Sequence, residues 1–126
     1  MDPNKPLQFI KRETKPQEIE IAGIKYPAIY NFNAISTMED YTETAHGFTL
    51  SRFSMNIYTA KEFIGCLCGM LSAAGVMVDA DALAEGINPD EEQAIFDQMM
   101  KIIREQSPKP DNSKNVQPPE SSTGTN

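Results

Sequence analysis

Three small groups of side chains in this sequence have types and spacings that could do chemistry. Cys66-Leu67-Cys68 places two thiols two residues apart, the start of a thiolate metal site or a redox pair. On an α-helix, positions two apart point about 200° away from each other, so one ion cannot take both. A structural zinc takes about four ligands, and the whole chain holds 2 cysteines and 1 histidine. The pair therefore reads as small apolar core residues. His46, followed by Gly47, falls where the pattern predicts the end of a helix, and an imidazolium is favoured there by the helix dipole. No nucleophile stands in a catalytic relation to it. Glu91, Glu92 and Asp97 have the composition of an acid–base pair. Their position at and after a helix start instead suits dipole compensation and a solvated face. Neither a glycine-rich phosphate loop nor a nucleophile elbow occurs. The expectation is a protein that is not an enzyme, with no cofactor and no metal.

The elements that carry these residues lie in the middle of the chain. It has 126 residues with a formal net charge of −7. Residues 1–16 contain three prolines and a net +2, and residues 107–126 contain four prolines and one aliphatic side chain, Val116. Neither segment has enough apolar surface to offset the entropy of ordering, so a disordered arm and a disordered polar tail are expected. Residues 17–106 hold five basic and fourteen acidic side chains, a net −9. That charge disfavours a phosphate-binding surface and so a nucleic-acid partner. It is compatible with plain solubility or with a basic protein partner. Met1 to Pro16 has no apolar segment of the kind that leads a secreted chain, so a cytoplasmic location is expected. Phe63 to Val78 is free of charge but shorter than the roughly 20 residues of a membrane span, and no membrane association is expected.

Ile19 and Ile21 alternate with Glu18 and Glu20, and Ile24, Tyr26, Ala28 and Tyr30 alternate likewise, with Ala22-Gly23 as a tight turn between them. A two-stranded hairpin is predicted, with Pro27 unable to donate to a ladder and marking an outward edge. Such a hairpin needs helices on one face. Asn31 or Asn33 can cap a helix over 33–45, with Phe32, Ile35, Met38, Tyr41 and Ala45 as its apolar face and Gly47 after its end. Residues 48–58 are apolar with weak periodicity and compatible with a short helix near Leu50 to Asn56. Thr59-Ala60-Lys61-Glu62 is a capping box opening a helix from Ala60 to about Ala74, stopped by Gly75. Gly65-x-x-x-Gly69 on this helix would let another helix approach closely, in the core or in a partner. A short helix from Asp79 to Glu85 and a longer one opened by Asn88-Pro89 follow, the latter with the stripe Ile95, Phe96, Met99, Ile102 and Ile103. The fold class is α+β, mainly α: an N-terminal hairpin packed on a four-helix body over residues 17–106.

The order of these elements carries a resemblance. A short hairpin reading Ile-x-Ile-x-Gly-Ile-x-Tyr-Pro precedes a helix that begins Asn-Phe-Asn-Ala-Ile and carries Met38-Glu39-Asp40. A second, apolar helix, two further helices and a polar tail follow. Over about Gln17 to Gln106 this resembles the small tail assembly chaperones of long-tailed bacteriophages and prophages, although Phe48 to Tyr58 matches no part of that pattern. The resemblance implies a non-enzymatic role in the cytoplasm of the bacterial host. Such chaperones cover the long apolar helices of the tape measure protein until tube subunits polymerise around it. The expected partners are the tape measure protein and, secondarily, the tail tube protein; a homo-oligomer is left open. It also implies a longer frameshifted product with slippage near Ser107-Pro108-Lys109. Phe63, Leu67, Met70, Met99, Met100 and Ile103 are the candidate partner-binding residues, on the helices at 60–74 and 90–105. The competing expectation is an acidic adaptor or inhibitor that mimics a nucleic acid and occupies a basic protein site.

Overall fold

Ala22 and Gly23 both adopt positive φ, 54° and 81°, the pair of left-handed conformations that a two-residue hairpin turn requires. The turn joins β1 (Gln17–Ile21) to β2 (Ile24–Ala28) in an antiparallel pair with Ile21 opposite Ile24 and Ile19 opposite Tyr26. Counted from the turn, the outward-facing amides are those of the Glu20–Lys25 and Glu18–Pro27 pairs. Pro27 thus sits where no ladder bond is lost. The structure, a computed structural model, describes residues 15–106. The rest of the arm and the tail expected to be disordered, residues 1–14 and 107–126, lie outside the described residues.

Five α-helices follow the hairpin: α1 (Phe32–Thr42), α2 (His46–Ser54), α3 (Ala60–Ala73), α4 (Ala80–Gly86) and α5 (Glu92–Gln106), the last preceded by a 3-10 turn at Pro89–Glu91. The α+β, mainly helical architecture is as the sequence predicts, with one helix more than the expected four. The addition is α2, which occupies the ambiguous stretch and starts earlier than the periodicity suggests.

α3 is the axis of the fold. Residues 62–71 are buried without a break, the signature of a helix covered on all sides. The capping box forms: Thr59 Oγ1 accepts the Glu62 amide at 3.0 Å, and Glu62 Oε1 accepts the Thr59 amide at 2.9 Å. At the other end Gly75 takes φ +92°, and the amides of Gly75 and Val76 close onto the carbonyls of Ser72 and Leu71, a Schellman stop.

The two glycines of Gly65-x-x-x-Gly69 face α1. A Cβ at Gly69 would stand 2.4 Å from the Ala34 carbonyl oxygen, and one at Gly65 would meet Thr42 and Tyr41 at 3.0 and 3.1 Å. Close helix approach is therefore used inside the core. α1 turns Ala34 and Met38 to this contact, with its N-terminus capped by Asn31 Oδ1 on the Ala34 amide at 3.0 Å. Phe32, expected on the apolar face, is instead 80% exposed, because it is the first residue of α1 and the buried row runs through Ala34 and Met38.

The hairpin docks on α5 through polar side chains. Gln98 Oε1 accepts the Glu20 amide at 2.8 Å, Glu91 Oε2 accepts the Ala22 amide at 2.9 Å, and Gln106 Oε1 accepts the Tyr30 amide at 2.7 Å. Glu91 ends the 3-10 turn that leads into α5, and Gln98 and Gln106 follow on α5 at steps of seven and eight, so the three face the same side. The bond to Glu20 occupies an outward-facing amide of β1 that would otherwise template another strand. Beneath them all five predicted stripe residues of α5 are buried.

Candidate functional site: an apolar seam under a short helix

α4 differs from every other helix in having no buried residue. Its sequence explains this. Seven residues rich in alanine and acid supply one large apolar side chain, Leu83, and Ile87 follows directly. Both are half-buried against the core, while Ala80 completes a row at steps of three and four.

The surface below is strongly apolar. On one side of α4 lies a cleft of about 310 Å³ between the hairpin (Ile21, Ile24, Tyr26), Leu71 of α3 and the connector at Val76. On the other side a second cleft, also about 310 Å³, is lined by Ala60, Phe63 and Ile64 of α3, with Pro89 and Glu92 at its edge. Ile87 borders both. α4 thus lies in a seam wider than itself. The two clefts contain no basic side chain and a single acidic one, Glu92.

Five of the six candidate partner-binding residues are in the core. Leu67, Met70 and Met99 are fully buried, and Phe63 and Ile103 nearly so; Met100 alone is half-buried. The burial has a physical cause: α3 and α5 are enclosed by neighbours, so their apolar stripes are spent on the chain's own packing. Truncating such residues to alanine costs roughly 2–5 kcal/mol, a large share of a small domain's stability of about 5–15 kcal/mol. Phe63 is the one of the six that also lines a cleft. The residues that reach the clefts most openly are Ile24, 56% exposed, and Met77, 99% exposed. Ile24 follows the hairpin turn and Met77 sits in a connector. Their alternation and charge-free surroundings alone read as core.

The groups that could do chemistry are occupied with structure. Burial pushes the Cys66 thiol up to about 12, and its Sγ lies 3.9 Å from Met70 Sδ. Burial, and then the charge of Asp79, raise the Cys68 thiol. Its Sγ is 4.0 Å from the Val78 carbonyl, near the end of the connector to α4. Both thiols are held protonated and unreactive at neutral pH.

His46 does not follow the C-terminus of α1; it is the first residue of α2. α1 stops at Thr42, with Glu43 left-handed at φ 55°. The Glu39 carboxylate accepts both the His46 backbone amide, at 2.8 Å, and Nδ1, at 2.7 Å. Its pKa is held down first by the His46 amide and then by the ring. Gly47 correspondingly lies inside α2 and ends nothing.

Glu62, only 3% exposed, is the one buried carboxylate among the described residues. Beyond its capping bond, Oε2 accepts from Arg52 Nε at 2.7 Å, from Arg52 Nη2 and from Thr49 Oγ1 at 3.2 Å. Arg52 is the main cause of the lowered Glu62 pKa, against burial, which raises it. Tyr58 joins this region to α5: it stacks on Phe96 at 4.6 Å and donates its hydroxyl to Glu92 Oε2 at 2.8 Å. Burial, then that hydrogen bond, raise its pKa.

Among the described residues no three His, Cys, Asp or Glu side chains converge on one point. No described helix is long and apolar enough to cross a membrane. Comparison with protein-family models, with curated proteins and with solved structures finds no match to this chain.

Proposed function

We propose that this protein is a tail assembly chaperone of a long-tailed bacteriophage or prophage, acting without catalysis in the cytoplasm of the host. It binds apolar helical segments of the tape measure protein and keeps them soluble until tail tube subunits assemble around them. The observation that carries the reading is the apolar seam around α4, with a cleft of about 310 Å³ on either side of that helix. An unassembled helix with a long apolar stripe aggregates, and a groove already shaped around a helix can cover it. The acidic charge of residues 17–106 keeps the loaded complex dispersed.

The alternative, an acidic mimic of nucleic acid, needs free carboxylates spread over one face. Glu39, Glu62, Asp79, Glu91, Glu92 and Asp97 each accept hydrogen bonds from this chain's own groups, which leaves that reading with less to stand on. Co-expression with the long helical protein encoded immediately downstream tests the proposal. The chaperone reading expects the partner to become soluble and to co-purify, in a complex that added salt weakens only modestly. An insoluble partner with nothing co-purifying rejects it. Association lost steeply with salt favours the mimic.

A further inference from the structure

We infer that α4 is a displaceable cover, and that the seam beneath it receives in its place one amphipathic helix with basic flanks from a partner protein. The class of partner rests on the helix-binding reading above; the displacement rests on how α4 is held.

α4 is isolated from the body by its hydrogen bonding. The bonds of residues 77–87 stay within the segment 79–87, as in the Leu83 amide to the Asp79 carbonyl and the Ile87 amide to the Leu83 carbonyl. The exception is the weak thiol contact from Cys68 to Val78 at 4.0 Å. No ladder or cap of a neighbouring element depends on α4. α3 is already closed by the left-handed Gly75, and α5 begins from its own Pro89–Glu91 turn, with the Glu91 side chain on the Asn88 amide at 3.1 Å. A seven-residue helix has little stability of its own. What holds it is the partial burial of Leu83 and Ile87.

The seam offers more apolar wall than α4 uses, since open clefts flank it on both sides. A helix with larger residues at α4's own spacing would fill both. The positions of Ala80, Leu83 and Ile87 define that spacing, steps of three and four. Charge selects the flanks: the clefts are lined by no base, and residues 17–106 carry a net −9.

The test uses the full chain and a synthetic peptide with leucine at steps of three and four and lysine elsewhere, beside a twin with glutamate for lysine. The lysine peptide is expected to bind more tightly than its twin and to speed amide exchange at residues 80–87 by about three-fold or more. Leu83→Ala removes an anchor of the cover without touching the body. It should tighten peptide binding by about three-fold, because the open form becomes more populated. Ala84→Pro, which breaks α4, should act in the same direction. Weaker binding in either variant, with circular dichroism outside α4 preserved, makes α4 part of the binding surface and overturns the inference. Absence of binding, or binding with α4 exchange unchanged, overturns it as well. So does dimerisation of Leu83→Ala that excludes the peptide, since the occupant would then be a second copy. A tape measure protein that co-purifies while α4 exchange stays unchanged leaves the chaperone reading standing and rejects the cover. Peptide-driven opening without co-purification does the reverse.

Discussion

Glu62 shows how much one side chain can carry. It caps α3, neutralises Arg52 and accepts from Thr49, while almost fully removed from water. A buried carboxylate survives only when paired and hydrogen-bonded. Its pKa, and that of Glu39, lie below the ordinary carboxylate range. At neutral pH both groups are ionised in the folded and unfolded chain, and their contacts contribute in full. As pH falls through the ordinary range, the unfolded chain takes up protons first. The contribution is lost by the time pH has passed the lower, folded values. The thermal midpoint should therefore drop between neutral and acidic pH. Glu62→Gln should start lower at neutral pH and fall less steeply, as followed by calorimetry at several pH values. A variant whose midpoint parallels the wild type at every pH would remove Glu62 from this role. Half of the cluster is legible in the sequence, since Thr59 and Glu62 stand at capping-box spacing. Arg52 and Thr49 are not legible, because their meeting with Glu62 depends on a helix whose periodicity is weak.

At the scale of elements, local signals mark what they close. The hairpin, the Gly75 stop, the α5 stripe and the close approach at Gly65 and Gly69 all follow from residue types at short spacing. α2 escapes because its N-terminus has no local side-chain cap at Ala45; a carboxylate seven residues back on α1 takes that role. The docking of the hairpin by Glu91, Gln98 and Gln106 escapes for a related reason. Polar residues on an exposed helix face look solvated until a strand edge is set against them. Two glycines test these assignments. Gly69→Ala pushes a methyl into the Ala34 backbone and should cost roughly 1–3 kcal/mol by overpacking. Gly47→Ala has open space around the new methyl and no positive φ, and should be neutral or stabilising by about 0.4–1 kcal/mol. Denaturant midpoints for the two variants decide between this arrangement and one in which Gly47 terminates a helix, where alanine would destabilise.

For the whole molecule, the decisive property is where apolar surface is left over. The helices at 60–73 and 92–106 spend their stripes on the core; large apolar side chains stay exposed at Ile24 and Met77 beside the seam, and at Phe32, Phe48, Met55 and Ile57 away from it. The sequence makes the apolar content visible but not its division between core and surface, since both uses have the same periodicity. The central claim, that the seam shields apolar helices, is tested most directly by light scattering of the tape measure protein diluted from denaturant. Stoichiometric wild-type chain should suppress the aggregation. Ile24→Lys and Met77→Lys together, both at exposed positions and so harmless to the fold, should abolish most of that suppression. Aggregation unchanged by the wild-type chain, or suppressed equally by the double variant, would contradict it.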